Sequence, residues 1–387
     1  MSWNIPEQQQ LSKPRNNALK YFIITTTLIF TATVTGGIYW LVYKPSYRPE
    51  QLTLLITAIP LLLLLVIWTC LLIGTLRYIA AMRHYYTDTA IQQDITQQWR
   101  KWAGRELTIY AASELFPEHS GVQERLADQP EISCAEQSLY LSSGDEKPSS
   151  LLIVYRELLI PLKRRLAIAC RKNIISVDLI YNNMVGSWND FSRAWQEIGL
   201  DPSRIEQRQV TNNRVDALFE HWYQSKDKLH FVIVTQYSAT GLHGKIPSEG
   251  AMAWLIAGKA VDVAEGLTPQ AVLTVPIISA EGELKKSLNQ LVEYQAQVGK
   301  FKTVWFSRLP DERCGELLQY MHQCGIVGQN EEYQQIFLDM KLGHPGPLSY
   351  WLVQAAALRR AINHRQPQLI HADSPTGIIS RLILPFK

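Results

Sequence analysis

The sequence predicts a layered α/β fold made of two copies of one βαβαβαββ unit, carried behind a membrane hairpin. Three observations predict it. Leu229–Gly258 holds two apolar runs, Leu229–Gln236 and Ala251–Gly258, of the kind buried on both faces of a sheet. Strand-like and helix-like stretches alternate before that pair, and the same order recurs after it. Near the N-terminus, Tyr21–Tyr43 and Leu52–Leu76 contain no charged residue.

Each uncharged stretch reaches the roughly 20 residues that a bilayer crossing requires. The second is rich in Leu and Ile; the first is diluted by threonines, whose hydroxyls can bond back to helix carbonyls. Tyr39, Trp40 and Tyr43 form an interfacial belt at its end. The run is long for a signal peptide, and no small-residue cleavage site follows it. Lys44–Gln51 is a short connection, so the spans are expected as an antiparallel hairpin over 21–78, after a cytoplasmic tail, 1–20. Lys13, Arg15 and Lys20 before it and Arg77 and Arg83 after it place both ends, and the soluble bulk, in the cytoplasm. A linker helix over 79–104 follows, with Ile91, Ile95, Trp99 and Trp102 on one face, ended by Gly104.

The first half, 105–262, begins with a strand from Glu106 to Ala112. An irregular excursion, Ser113–Ser150, contains Pro117, Pro130, Gly144 and Pro148. Helix Val154–Arg171, strand Ile174–Tyr181, helix Trp188–Gly199, strand Ile205–Val210, helix Asn213–Gln224 and the central strand pair complete it. The second half, 263–387, reads as strand Ala271–Ile278, helix Gly282–Gln297, strand Phe301–Phe306, helix Asp311–Cys324, strand Gln335–Asp339 and helix Pro347–Asn363. Strands Gln368–Ala372 and Ile378–Leu384 close it. A formal net charge of +3 over 387 residues, with basic residues scattered, excludes no class but calls for no nucleic acid. Five cysteines without framework spacing fit a reducing compartment.

With this duplicated pattern, Pro247–Ile256 (PSEGAMAWLI) and Gly343–Ser349 (GHPGPLS) resemble the thiolase/β-ketoacyl-synthase superfamily, as does the loop Ser374–Ile379. The resemblance implies a thiolase-like layered fold and a cysteine nucleophile at the start of the third helix of the first half. There a helix dipole would lower the thiol pKa and backbone donors would hold the oxyanion. This sequence has Thr211, Asn212 and Asn213 at that place, and Arg308 stands where the synthases' first histidine is expected. His344 alone keeps a catalytic-looking position, beside a bland reading as a turn residue before Pro345 and Gly346. The expectation is a degenerate site at Thr211, Asn212, Arg308 and His344, with no catalytic residue, cofactor or metal.

Other candidates carry less. Cys134 lies in the excursion with no electropositive setting evident around it. Cys314, His322 and Cys324 match no zinc spacing. Gly241–Lys245 lacks the following helix that a phosphate cradle uses, and Ser248 precedes a strand, unlike a nucleophile elbow.

The N-terminal anchor, Trp102–Ile109 (WAGRELTI), the Leu158–Arg171 helix and Ser248–Ile256 together resemble the adaptor proteins of type VI secretion lipases. That resemblance implies a non-catalytic adaptor of the bacterial inner membrane. Its soluble domain would bind a phospholipase-type effector in the cytoplasm and aid its loading onto the spike protein. Superfamily members are often dimers, so a homodimer is among the expectations. Two other functions are open to the sequence: an inner-membrane acyl-transfer enzyme using Cys134 or His344, and a structural subunit of a membrane complex.

Overall fold

The computed structural model describes the chain apart from residues 1–2, 4, 6–11, 16–17, 44–48, 118–133, 135–136, 142–150, 182–187, 209–214, 226, 238–245, 281, 296–300, 328–332, 375 and 387. It divides into two units, one of Met1–Ile5 with Trp99–Lys387 and the other of Pro6–Gln98.

The smaller unit is helical. Helix α1 spans Ala18–Tyr43 and α2 spans Pro49–Ala103, 55 residues without a break, so the expected second span and linker helix are one element. The threonines of α1 bond back as expected, Thr27 Oγ1 to the Ile23 carbonyl (2.7 Å) and Thr31 Oγ1 to that of Thr27 (2.7 Å). Among the described residues one helix, in its Leu64–Ala103 part, is long and apolar enough to cross a bilayer, with a mean hydropathy of 1.9. The described apolar stretch of α1, Tyr21–Gly36, is shorter than a crossing. Tyr21 and Leu76 are both exposed on their helices.

In the larger unit the first half runs β1 (Glu106–Leu115), α3 (Leu151–Leu159), a 3₁₀ turn, α4 (Lys163–Cys170), β2 (Ile175–Tyr181), α5 (Trp188–Glu197), β3 (Ile205–Arg208), α6 (Val215–Gln224), β4 (Leu229–Gln236) and β5 (Gly250–Gly258). The helix expected over Val154–Arg171 is thus interrupted, at Ile160–Leu162, where Pro161 lacks the N–H that would continue it. The second half runs β6 (Ala271–Thr274), β7 (Ile277–Ser279), α7 (Leu284–Tyr294), β8 (Thr303–Ser307), α8 (Asp311–Gln323), β9 (Gln334–Phe337), α9 (Leu338–Leu342), α10 (Ser349–His364), β10 (Gln368–Ser374) and β11 (Gly377–Pro385). The single strand expected over Ala271–Ile278 is two, broken around Pro276.

Strand order confirms the duplication. The first half pairs as β3-β2-β4-β5-β1 and the second as β9-β8-β10-β11-β6, which is the same order. In both, three strands are parallel and the last two pairings antiparallel. Antiparallel pairing of β1 with β6 joins the halves into one hydrogen-bonded path. The fold is mixed α/β and, by this duplicated topology, thiolase-like.

β4 and β5 are buried along nearly their whole length because both faces are covered. Leu229, Phe231, Ile233, Ala253 and Leu255 join a core under α3, α4 and α5; Val232, Val234, Met252, Trp254 and Ile256 face the core that holds α6 and α10. In that second core Phe219 stacks on Trp351 (5.4 Å between centroids), and Trp222 and Trp254 meet Trp351 edge-on. The tryptophans Trp195, Trp222 and Trp351 are core residues. Trp3 is another: its indole N–H donates to the Pro276 carbonyl (3.2 Å) and its ring meets those of Trp102 and Tyr294. Ile5 packs against the same core, so both residues belong to the globular unit, where a tail was expected.

Between the halves lies Arg381, on β11 and fully buried. It donates to the Thr274 carbonyl (2.6 Å), Gln354 Oε1 (2.9 Å) and the Tyr223 hydroxyl (3.1 Å), with its guanidinium 3.7 Å over the Phe219 ring. Replacing Arg381 by Met would orphan these acceptors. Each buried unsatisfied group costs about 1–3 kcal/mol, so R381M should lose roughly 3–5 kcal/mol. Thermal unfolding of the full chain in detergent checks this.

Two buried histidines set an acid limit. Burial, aided by the nearby His221, Arg208 and Lys228 charges, pushes His230 down to about 3; burial alone does the same to His371, whose Nδ1 lies 2.8 Å from Ser380 Oγ. Both are neutral in the fold and protonate on unfolding, so their stability is present above pH 6.5 and is lost as pH falls towards 3. Asp178 and Asp339 are shifted upward by burial and act with the opposite sign above pH 3.8. Stability of His371→Asn should therefore depend less steeply on pH between 6.5 and 4 than that of the parent, by up to about 1.4 kcal/mol per pH unit. Denaturant titrations at several pH values measure it.

Candidate functional site

In an open α/β sheet, ligand sites form beyond the carboxyl ends of parallel strands. In the second half those ends are Ser307 of β8, Phe337 of β9 and Ser374 of β10. Register places Phe306 beside Phe337, which brings the residue after β8 next to the first turn of α9. There Asp339 accepts Ser307 Oγ (3.1 Å) and the Arg308 backbone N–H (2.6 Å). Arg308 adopts a left-handed backbone with φ 57°, which a non-glycine residue holds only under such constraint. Burial raises the Asp339 pKa, against the lowering effect of those two donors and of the Arg308 and His344 charges.

The Arg308 guanidinium is partly buried. One terminal nitrogen lies 3.5 Å from the Gly346 carbonyl and the other 4.0 Å from Asp373 Oδ2. Burial raises Asp373 too, again opposed by Arg308. So Arg308 and His344, two of the four expected degenerate-site residues, converge on one pair of loops. Thr211 and Asn212 lie outside the described residues, as does Gly241–Lys245.

His344 is half-buried and its peptide groups are occupied. Its N–H donates to the Gln137 carbonyl (2.7 Å) and its carbonyl accepts the Ser248 N–H (2.8 Å). Gln137 belongs to a strap, the described residues from Cys134 to Leu141, that lies across the loop leading to α10. Cys134 N–H donates to the Met340 carbonyl (2.7 Å), Leu139 N–H to Ser248 Oγ (3.0 Å) and Glu249 N–H to the Leu139 carbonyl (2.7 Å). The buried Ser248 hydroxyl also donates to Gln137 (3.2 Å) and is a bracket for the strap. From the other side the buried Gln236, last residue of β4, donates to the Ser248 carbonyl (2.6 Å) and accepts Leu348 N–H (2.9 Å). Gly343 (φ 91°) and Gly346 make these approaches feasible: a Cβ on Gly343 would sit 2.8 Å from Ser248 Oγ and closer still to the Gln137 carbonyl, and one on Gly346 would run into the Gln236 amide.

The cluster combines one guanidinium, two carboxylates and one imidazole, with the Ser307 proton directed at Asp339. It can hold polar groups and orient loops. No group of three metal-ligating side chains occurs among the described residues. Cys314 is buried, its Sγ directed at the Leu309 carbonyl (3.8 Å), and burial pushes its thiol up to about 11. Cys134 is buried, with its backbone alongside Gly343.

Asp339, Asp373, Ser307 and Gln236 were not singled out from the sequence. Asp339 was placed in strand Gln335–Asp339, whereas β9 ends at Phe337 and Asp339 opens a helix. An acidic residue just past a strand end is the local signal for it.

Gly343→Ala should displace the strap, through both the left-handed backbone and the collision with Gln137. The expected result is destabilisation of about 1–3 kcal/mol and faster amide exchange at Leu139 and Glu249. Hydrogen-exchange mass spectrometry reads both amides.

No protein family and no curated protein matches the sequence. Solved structures do. A type II polyketide ketosynthase with its acyl-carrier protein (AntDE:AntF) is 11% identical, covering 73% of this chain and 99% of that one, with a TM-score of 0.49. The tetronic acid condensing enzyme AbyA1 is 9% identical over 72% of this chain and all of that one, at 0.46. Cerulenin-bound OleA of Xanthomonas campestris is 11% identical over 73% and 99%, at 0.44. The activities in these descriptions belong to those proteins.

Proposed function

We propose that this chain is a membrane-anchored, non-catalytic adaptor. In the role implied by its resemblance to the type VI secretion lipase adaptors, it holds a phospholipase-type effector in the cytoplasm for loading onto the spike protein. The observation that carries the non-catalytic part is the strap. Peptide groups of the chain itself occupy the loop that bears His344, while the place of a nucleophilic thiol reads Thr211-Asn212-Asn213. One histidine does not replace a nucleophile with its base.

The anchor reading rests on the apolar part of α2. The two-pass hairpin expected from the uncharged runs Tyr21–Tyr43 and Leu52–Leu76 is part of this proposal. Tethering raises the local concentration of a bound client without further contacts.

A second reading is favoured by one observation, the burial of Cys134 beside the His344 loop: an acyl-transfer enzyme with its thiol on the strap. One pair of experiments separates the two. Full-length chain purified from membranes should retain a co-expressed lipase effector and show no mass increase with excess acyl thioester. An acyl adduct on Cys134, without effector retention, would sink the adaptor reading.

A further inference from the structure

The first half carries a charge concentration that the linear sequence disguises as scatter. Arg156, Lys163, Arg164, Arg165, Arg171 and Lys172 fall within 17 residues against one carboxylate, Glu157, a surplus of five in a chain of net +3. Without this stretch the chain would be slightly acidic. The run from α3 through the 3₁₀ turn to α4 is amphipathic. Leu151, Val154, Tyr155, Leu158, Leu162, Leu166 and Ala169 enter the core. The opposite stripe carries Arg156, Ile160, Lys163, Arg164 and Arg171, at intervals of four, three, one and seven residues and all exposed.

Arg165 turns inward to the Tyr110 and Thr268 carbonyls (2.7 and 3.0 Å), and Lys172 pairs with Asp262. Arg156, Lys163, Arg164 and Arg171 have no carboxylate partner among the described residues. One large apolar side chain lies on the same stripe, Ile160 (56% exposed); Ile174 (53% exposed) follows the run, just before β2. Cations without a carboxylate partner among the described residues, on one helical stripe with the exposed Ile160 among them, suit a surface that is anionic outside and apolar beneath.

We propose that the α3–α4 face docks on an anionic phospholipid surface. The inference rests on the anchor reading, which keeps a bilayer within reach of the globular unit. Each free cation adds about a fivefold gain in affinity for an anionic leaflet, and the effect falls with ionic strength. Ile160 enters the headgroup boundary once the charges have brought the face down.

The test uses the full chain in nanodiscs of neutral phosphatidylcholine or of phosphatidylcholine with phosphatidylglycerol. The rate of Lys163 acetylation by a water-soluble reagent is read by mass spectrometry, with the exposed Lys259 as internal control. Docking predicts at least about fivefold slower acetylation of Lys163 in the anionic discs alone, with Lys259 unchanged. High salt should restore the rate, as should the triple variant R156Q/R164Q/R171Q. Equal Lys163 rates in both discs would overturn the proposal. So would protection that needs added polyglutamate, which would assign the face to an acidic protein. A chain that co-elutes with no lipid would overturn the anchor reading itself, and is told apart by the missing lipid.

Discussion

Arg381 is a guanidinium sealed between two copies of one fold unit, and its three acceptors are all neutral. Taking a charge out of water is expensive, and the arrangement holds only while every donor has a partner. Those partners come from β6, α10 and α6, so the register of β11, the seating of α10 and the approach of the first half are fixed together. The aromatic layer of Phe219, Trp222, Trp254 and Trp351 closes around the same point and excludes the water that would otherwise loosen it. The joint between halves is thereby geometrically demanding, whereas a purely apolar contact would tolerate sliding.

That rigidity defines what the loops above it can do. The start of α10 is pinned by Arg381 through Gln354 on one side and by Gln236 through Leu348 on the other. The preceding turn, Gly343–Gly346, has no slack, and the strap lies over it in hydrogen-bond register. An imidazole in such a turn is held by its backbone more firmly than by its ring. Asp339 and Arg308 brace the neighbouring strand ends in the same manner, through a backbone N–H and a hydroxyl. Polar groups here hold strand ends and loops in place.

The surface of α3 and α4 follows a different logic. Beneath α3 and α4 the core is aliphatic and aromatic, and the outward stripe is almost wholly cationic. Nothing in the packing requires cations at these positions. Their concentration on one face is what the proposed docking on an anionic bilayer uses.

Much of the fold was legible in the sequence because it is written in local periodicity. Alternation of strand and helix, the two fully apolar strands and the uncharged runs all depend on neighbours within about ten residues, and each returned as an element close to its expected place. At the site, the sequence singled out Arg308 and His344, which the structure brings to neighbouring loops, while Thr211 and Asn212 lie outside the described residues. Strand order, the β1–β6 joint, Trp3 in the core and the meeting of Gln137 with His344 were decided by the tertiary structure alone. The β1–β6 joint and the Gln137–His344 contact join residues more than a hundred positions apart, strand order joins residues from 3 to about 170 apart, and Trp3 meets the core across a 93-residue excursion. The cations of α3 and α4 read as scatter in the sequence and became a face only when packing showed which side of the helix was left to solvent.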